Sequence, residues 1–357
     1  MYYLKFCIQG FGFTNQIFGF ITGIINAYKE GHNCVVVDNF LNDINKTKYT
    51  AISNIFNIDA INIFLKKKYN IIVIDKNDIF FEIVSAKYGT NDVDYIDLTD
   101  FIKSEYVQNN KLFIKKTFNF NEIKGDPCVG KEKKFILKYK INDYIVEEIY
   151  NEYLMNDIII DFNSPFSVGY GWINAYNNNM FDNILTNIKY NNDFILKSNL
   201  VLKDINTSNK INVIHLRLEL DGLLHWSIQN NITYNEYKSY LEEKYINIIK
   251  KYISKDDENI ILSSSLSNGV IDFLNTQNYK YMSVNKFFDD REKNAIIDLL
   301  VSKCCNNIFI GNFNMSKNNG STFSYYIWKY IKNNTTKIYI DPDNIYDDEV
   351  IVYGDKQ

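Results

Sequence analysis

An apolar run meets a histidine, an arginine and two carboxylates in the stretch Ile211 to Gly222, INVIHLRLELDG, which sets His215, Arg217, Glu219 and Asp221 at alternate positions. A guanidinium is always charged and presents a planar donor fork that matches phosphate, so a nucleotide phosphate is the natural partner of Arg217. An ion pair of Arg217 with Glu219 or Asp221 accounts for the same residues equally well. The turn Gly311 to Ser324, GNFNMSKNNGSTFS, brings hydroxyls and amides to a helix start. Ser321, Thr322, Phe323 and Ser324 there form either a phosphate cradle or a plain helix cap. Gly10 and Gly12, in QGFGFTNQ, let backbone amides approach an anion at a helix amino end. With Asp38 they spell part of a dinucleotide fingerprint, but Asn15 stands where the third glycine belongs. The pair Asn15 and Gln16 either caps the helix or faces a cleft with its amides.

These residues need a scaffold, and the periodicity supplies one. Val213, Ile214 and Leu216 read as a buried parallel strand, and ligands of open α/β sheets sit beyond the carboxyl ends of such strands, where Arg217 falls. A strand over Leu4 to Ile8, a helix with Ile17, Phe20, Ile21, Ile24, Ile25 and Tyr28 on its apolar face, a closing Gly31 and a strand over Cys34 to Val37 make a β-α-β unit. Helical spacing of Ile141, Tyr144, Ile145, Ile149 and Tyr153 predicts a helix over Leu137 to Leu154. Ser164 to Trp172 is a glycine- and aromatic-rich loop, packed surface or a lid.

Past the polar stretch Lys203 to Lys210, Thr233 and Glu236 spell a capping box ahead of a helix. Strands at Asn259 to Ser264, Tyr279 to Ser283, Ile308 to Gly311 and Lys337 to Asp341 alternate with helices at Val270 to Leu274, Ala295 to Cys304 and Ser321 to Tyr330. The expectation is an α/β protein of two Rossmann-like domains, 1–205 and 206–357, with parallel sheets facing a central cleft.

Composition narrows the partners. At 357 residues, 46% hydrophobic and 23% charged, the chain has the make-up of an ordinary globular protein with room for two domains. A net charge of -4 and a pI near 5.6 leave no footprint for nucleic acid. Five cysteines without CxxC spacing indicate neither a disulfide framework nor a zinc site, and a reducing, cytoplasmic location is expected. The uncharged stretch Phe6 to Tyr28 is too rich in glycine, Asn and Gln for a membrane span, and no signal peptide is expected. Asp92 with Asp94 and Asp341 with Asp343 have DxD spelling but read as turns and solvated carboxylates, so no metal is expected.

Three motifs stand in one order: Gly10 to Gln16 (GFGFTNQ), His215 to Asp221 (HLRLELD), and Asp298 within IDL followed by Ile310-Gly-Asn and Ser321 to Ser324 (STFS). The set resembles the GDP-fucose-dependent fucosyltransferase superfamily, which spans protein O-fucosyltransferases and α-1,2 and α-1,6 fucosyltransferases. The resemblance covers most of the chain by motif order. It implies a GT-B fold, with the donor held mainly by the second Rossmann-like domain and inverting transfer without a metal or other cofactor. Carried over by position, Arg217 would hold the β-phosphate and stabilise departing GDP, with His215 beside it. Asp298 would read the guanine edge, Ser321 to Ser324 would contact phosphates, and Asn15 would sit near the reacting centre. Leu218 stands where the α-1,2 enzymes carry a second arginine, and no glycine directly precedes Asn15, which brings the motifs nearer the protein O-fucosyltransferase style.

The resulting expectation is transfer of fucose from GDP-fucose to a glycan or glycoprotein hydroxyl. Glu219 and Asp221 are candidate bases or orienters of Arg217, and His225 and Trp226 are candidate lining of an acceptor cleft. A silent sugar-nucleotide or glycan binder on the same fold, and an NAD-linked oxidoreductase resting on Gly10, Gly12 and Asp38, are the alternatives.

Overall fold

The computed structural model describes residues 2–4, 12–41, 49–90, 94–109, 111–142, 144–161, 179–284, 286–314, 316–317, 319–331, 334–346 and 350–353. Gly10, Asp92, the loop Ser164 to Trp172 and most of the strand expected at Leu4 to Ile8 lie outside the described residues.

Near the amino end, β1 (Tyr2–Leu4), β2 (Cys34–Val37) and β3 (Ile72–Asp75) pair in parallel in that order. Helices α1 (Phe13–Lys29) and α2 (Ile58–Tyr69) make the crossovers. Every residue of β2 is buried, as a short unbroken valine run demands of a central strand. Gly31 adopts φ +77° just past α1, the left-handed position that lets the chain turn back into β2.

The helix expected over Leu137 to Leu154 is a β-hairpin. Strands β4 (Phe81–Gly89), β5 (Lys134–Ile141) and β6 (Tyr144–Asn151) form an antiparallel sheet, with β5 in the middle. Phe135, Leu137, Tyr139 and Ile141 are buried at alternate positions, which is the period of a strand. Asn142, at φ 51°, makes the turn between β5 and β6. The apparent helical spacing arose because it joined residues from both arms of the hairpin across that turn.

The carboxyl-terminal sheet carries the residues singled out for chemistry, Arg217 and its neighbours. Its strands are β7 (Ile211–His215), β8 (Glu258–Leu262), β9 (Tyr281–Ser283), β10 (Ile308–Asn314), β11 (Thr336–Ile340) and β12 (Ile351–Tyr353), in the spatial order β9-β8-β7-β10-β11-β12. The first five are parallel and β12 is antiparallel. Taken in chain order the parallel strands run 3-2-1-4-5, so the order reverses between β7 and β10, and ligands of doubly wound sheets lie beyond the strand ends at such a reversal.

One face of this sheet is covered by α5 (Leu220–Gln229), α6 (Tyr234–Tyr252) and α7 (Gly269–Thr276), which bury Leu223, Tyr237, Leu241 and Val270 against Ile214, Ile261 and Ile310. On the other face Ile297 of α8 (Arg291–Ser302) and Tyr325 of α9 (Thr322–Tyr330) pack with Val213, Ile260 and Phe309. The same core takes in Ile17 and Ile21 of α1, Phe181 of α3 (Asn179–Asn187) and Val201 of α4 (Asn192–Leu202), so α1 is packed directly onto the second sheet's helices. Thr233 forms the expected capping box: its hydroxyl accepts the Glu236 amide, and the Glu236 carboxylate accepts the Thr233 amide. No helix among the described residues is long and apolar enough to cross a membrane.

Candidate active site

At the reversal between β7 and β10 a cleft of about 930 Å³ opens, walled on one side by the amino end of α1 and on the other by α5, α8 and the turn into α9. Gly12, Asn15, His215, Arg217, Glu219, Asp221, Asp298, Ser321, Thr322 and Phe323 all line it, and so do His225 and Trp226. Residues from three distant motifs therefore share one space.

β7 ends at His215 and the chain is fixed there by Tyr245, whose hydroxyl donates to the His215 carbonyl at 2.8 Å and accepts the Arg217 amide at 3.2 Å. The His215 ring is buried, with Nδ1 2.7 Å from Ser324 Oγ and an edge-on contact to Phe323. Ser324 Oγ already accepts the Asn312 amide at 3.0 Å, so the tautomer that satisfies all three groups has Ser324 donating to Nδ1 and the imidazole proton on Nε2. Burial first, with Arg217 and Arg291 adding, lowers the His215 pKa to about 4, against the opposing pull of Glu219. His215 is thus a neutral donor at the cleft floor. Ser324 stands behind it, holding the ring.

Arg217 lies flat over Gly222: a Cβ there would meet the guanidinium carbon at 3.1 Å. Its Nη1 donates to Glu219 Oε2 at 2.5 Å and to Asp221 Oδ1 at 3.3 Å, and Nη2 donates to Asp221 Oδ2 at 3.0 Å. Glu219 is 13% exposed and Asp221 63%, so one partner is fixed in the wall and the other is at the rim. Burial opposes the charge on all three groups, and their mutual attraction more than offsets it: both carboxyls are held below their ordinary range and Arg217 above its own. Glu219 is also the residue before α5, yet its side chain makes no cap because Arg217 holds it.

The turn into α9 places a helix amino end on the cleft. Gly320 has φ +128°, and a Cβ there would lie 2.6 Å from Phe313 Cα, so only glycine fits. Ser321 caps α9 by accepting the Ser324 amide at 3.4 Å, which leaves the first-turn amides of Thr322 and Phe323, two residues of the cleft lining, without a partner inside the helix. Asp341 accepts from Asn314 and Lys317, and Asp343 accepts from Asn319, so this DxD pair braces that turn. Among the described residues no three His, Cys, Asp or Glu side chains converge as a metal site.

Asp298, on α8, has no hydrogen bond or ion pair among the described residues, and burial, with Glu219 adding, raises its pKa to about 7. Asn15 Oδ1 is buried without a partner among the described residues. For the buried Asn15 oxygen such an arrangement costs about 1–3 kcal/mol until a donor arrives.

Sequence reasoning missed Glu292, Arg291 and Lys286, which also line the cleft. The helix was expected from Ala295, but α8 begins at Arg291 because Asp290 accepts the Glu292 amide at 2.8 Å as an N-cap. The capping aspartate followed by a charged pair was the signal available. Glu292 reaches across to accept the Phe13 amide at 2.6 Å. α1 has no acidic residue in its first turn and no side-chain cap of its own, so Glu292 caps it from the other wall. Burial raises the Glu292 carboxyl.

The fucosyltransferase NodZ from Bradyrhizobium superposes with a TM-score of 0.52 at 11% identity, over 99% of this chain and 98% of that one. NodZ α-1,6-fucosyltransferase co-crystallised with GDP superposes with a TM-score of 0.51 at 10% identity, over 100% and 99%. The chain has a fucosyltransferase-like fold. A POFUT1 structure in complex with GDP-fucose reaches a TM-score of only 0.46, at 13% identity over 92% and 93%. No protein-family model and no curated protein sequence matches the chain.

Proposed function

We propose that the protein is an inverting, metal-independent glycosyltransferase that moves fucose from GDP-fucose to a hydroxyl of a glycan or protein. In this reading the fold is GT-B: two Rossmann-like halves, 1–205 on the acceptor side and 206–357 on the donor side, face the cleft. The observation that carries it is the convergence at one strand-order reversal of four features suited to a guanine nucleotide: a neutral donor at His215, the Arg217 guanidinium, the amino end of α9 and the unpaired carboxyl of Asp298. Likeness in fold to GDP-bound NodZ supports it.

The acceptor oxygen bonds to C1 of the sugar as the bond from C1 to the β-phosphate oxygen breaks. The electron pair leaves with GDP, and the proton that the acceptor hydroxyl loses passes to the departing β-phosphate or to solvent. Arg217, His215 Nε2–H and the α9 amides are donors aimed at the charge that grows on the leaving diphosphate, the kind of stabilisation that usually dominates. Asp298 would accept from guanine N1–H and the exocyclic amine. Asn15 would meet the sugar or acceptor from the α1 wall, and Gly12 would let that wall approach. Glu219 and Asp221 are bound to Arg217, which suits orienting groups better than bases. His225 is exposed at the rim with its ring edge-on to Trp226, where an acceptor would enter.

A silent sugar-nucleotide binder is the second reading, favoured by the engagement of both carboxylates beside Arg217, which leaves neither free as a base. Transfer from GDP-fucose to water or to an acceptor separates the two: GDP affinity with no turnover of GDP-fucose means a binder.

A further inference from the structure

The phosphate fork of Arg217 is already filled from within the chain. Glu219 and Asp221 occupy both of its terminal nitrogens, and the three side chains together carry one negative charge. Such a cluster repels a diphosphate. If the cleft takes a sugar nucleotide, the reading on which this inference rests, more positive charge must come from elsewhere in it.

α8 supplies that charge. Arg291, its first residue, lines the cleft and has no ion pair with a carboxylate among the described residues. A cation in the first turn lies against the helix dipole, so its place does nothing for the helix itself. Asp298 follows seven residues later. At 3.6 residues per turn that is two turns, which puts both on one face about 10 Å apart along the axis. Between them the same face carries Ala295, whose single methyl leaves the floor clear, and it too lines the cleft. A guanine nucleotide laid along α8 with its base edge on Asp298 brings its diphosphate to Arg291. The approach to this turn is held in place: Asn294 accepts the Phe287 and Phe288 amides at 2.9 and 3.0 Å and donates to the Phe288 carbonyl.

We propose that Arg291 is a second diphosphate-binding cation of this cleft, and that the incoming phosphates displace the rim carboxylate Asp221, not the wall carboxylate Glu219, from the Arg217 fork. Asp221 is the exposed partner of the two, with water to receive it and the Arg291 charge of α8 close enough to act on its carboxyl. The site then reads the two ends of the donor from one helix.

Calorimetric titrations of GDP and of guanosine into wild type, Arg291→Ala and Asp221→Asn test this. Arg291→Ala is expected to weaken GDP about tenfold, as loss of a charge-assisted contact does, and to leave guanosine unchanged. Asp221→Asn, which removes the internal competitor, is expected to tighten GDP several-fold. Equal GDP affinity in wild type and Arg291→Ala overturns the role of Arg291 while leaving the nucleotide reading intact. A parallel loss of guanosine affinity also overturns it, since the change then acts on the pocket and not on the phosphates. GDP affinity in Asp221→Asn at or below wild type overturns the displacement. A wild type that binds no GDP removes the nucleotide reading and this inference with it.

Discussion

Varying pH while GDP-fucose is titrated isolates Asp298. The carboxyl is unpaired and its pKa is raised to about 7 by burial, so at pH 6 roughly a tenth of the empty protein has it ionised and at pH 8 roughly nine tenths. Guanine offers two N–H donors and needs the ionised form as acceptor. Binding therefore releases a proton, and donor affinity is expected to rise about tenfold from pH 6 to pH 8, some 1.4 kcal/mol, before it levels off. GDP-fucose is the right titrant because its diphosphate is esterified at both ends and carries no proton near neutrality, whereas the terminal phosphate of GDP does. Asp298→Asn should bind more weakly at pH 8 and show no slope. Folding gives an independent check on the sign. A carboxyl whose folded pKa is raised leaves stability intact below about pH 4 and erodes it as pH climbs from there to about 7, so Asp298→Asn should unfold at higher denaturant at pH 8, by up to about 4 kcal/mol, with little gain at pH 4. A flat affinity profile in the wild type, or the same slope in Asp298→Asn, would refute the reasoning.

Arg217→Ala should lower GDP affinity and reduce transfer at least a hundredfold with circular dichroism unchanged, because it removes the central cation from the leaving group; unchanged transfer would end its assigned role. Gly222→Ala should cut transfer about tenfold with little change in thermal stability, since the new methyl would sit 3.1 Å from the Arg217 guanidinium carbon and tilt the fork. Ser324→Ala leaves His215 Nδ1 and the Asn312 amide without their shared partner and should cost about 1–3 kcal/mol in chemical denaturation, along with donor affinity.

Much of the carboxyl-terminal half could be read from the chain itself. The parallel strands announce themselves as short apolar runs because both of their faces are covered, and the capping box at Thr233 fixes a helix start by chemistry alone. Arg217, Glu219 and Asp221 lie within five positions, so their meeting is nearly local. Asp298 became a candidate only through the motif order of a resembling family, since nothing local distinguishes it from any helical aspartate, whereas Ser321 to Ser324 read locally as either a phosphate cradle or a plain cap. The β5–β6 hairpin was hidden because β-branched and aromatic residues fit either period over a short window, and the turn at Asn142 carries no glycine. Glu292 could not be placed from sequence: its bond to the Phe13 amide joins residues 279 apart and exists only once α1 packs against α8.

Calorimetric titration of the wild-type protein with GDP, UDP and NAD, in the presence of a chelator, tests the central claim most directly. We expect GDP to bind, with UDP and NAD far weaker, and the chelator to make no difference. No measurable affinity for GDP would contradict the proposed function, and an equal affinity for UDP would contradict the role given to Asp298.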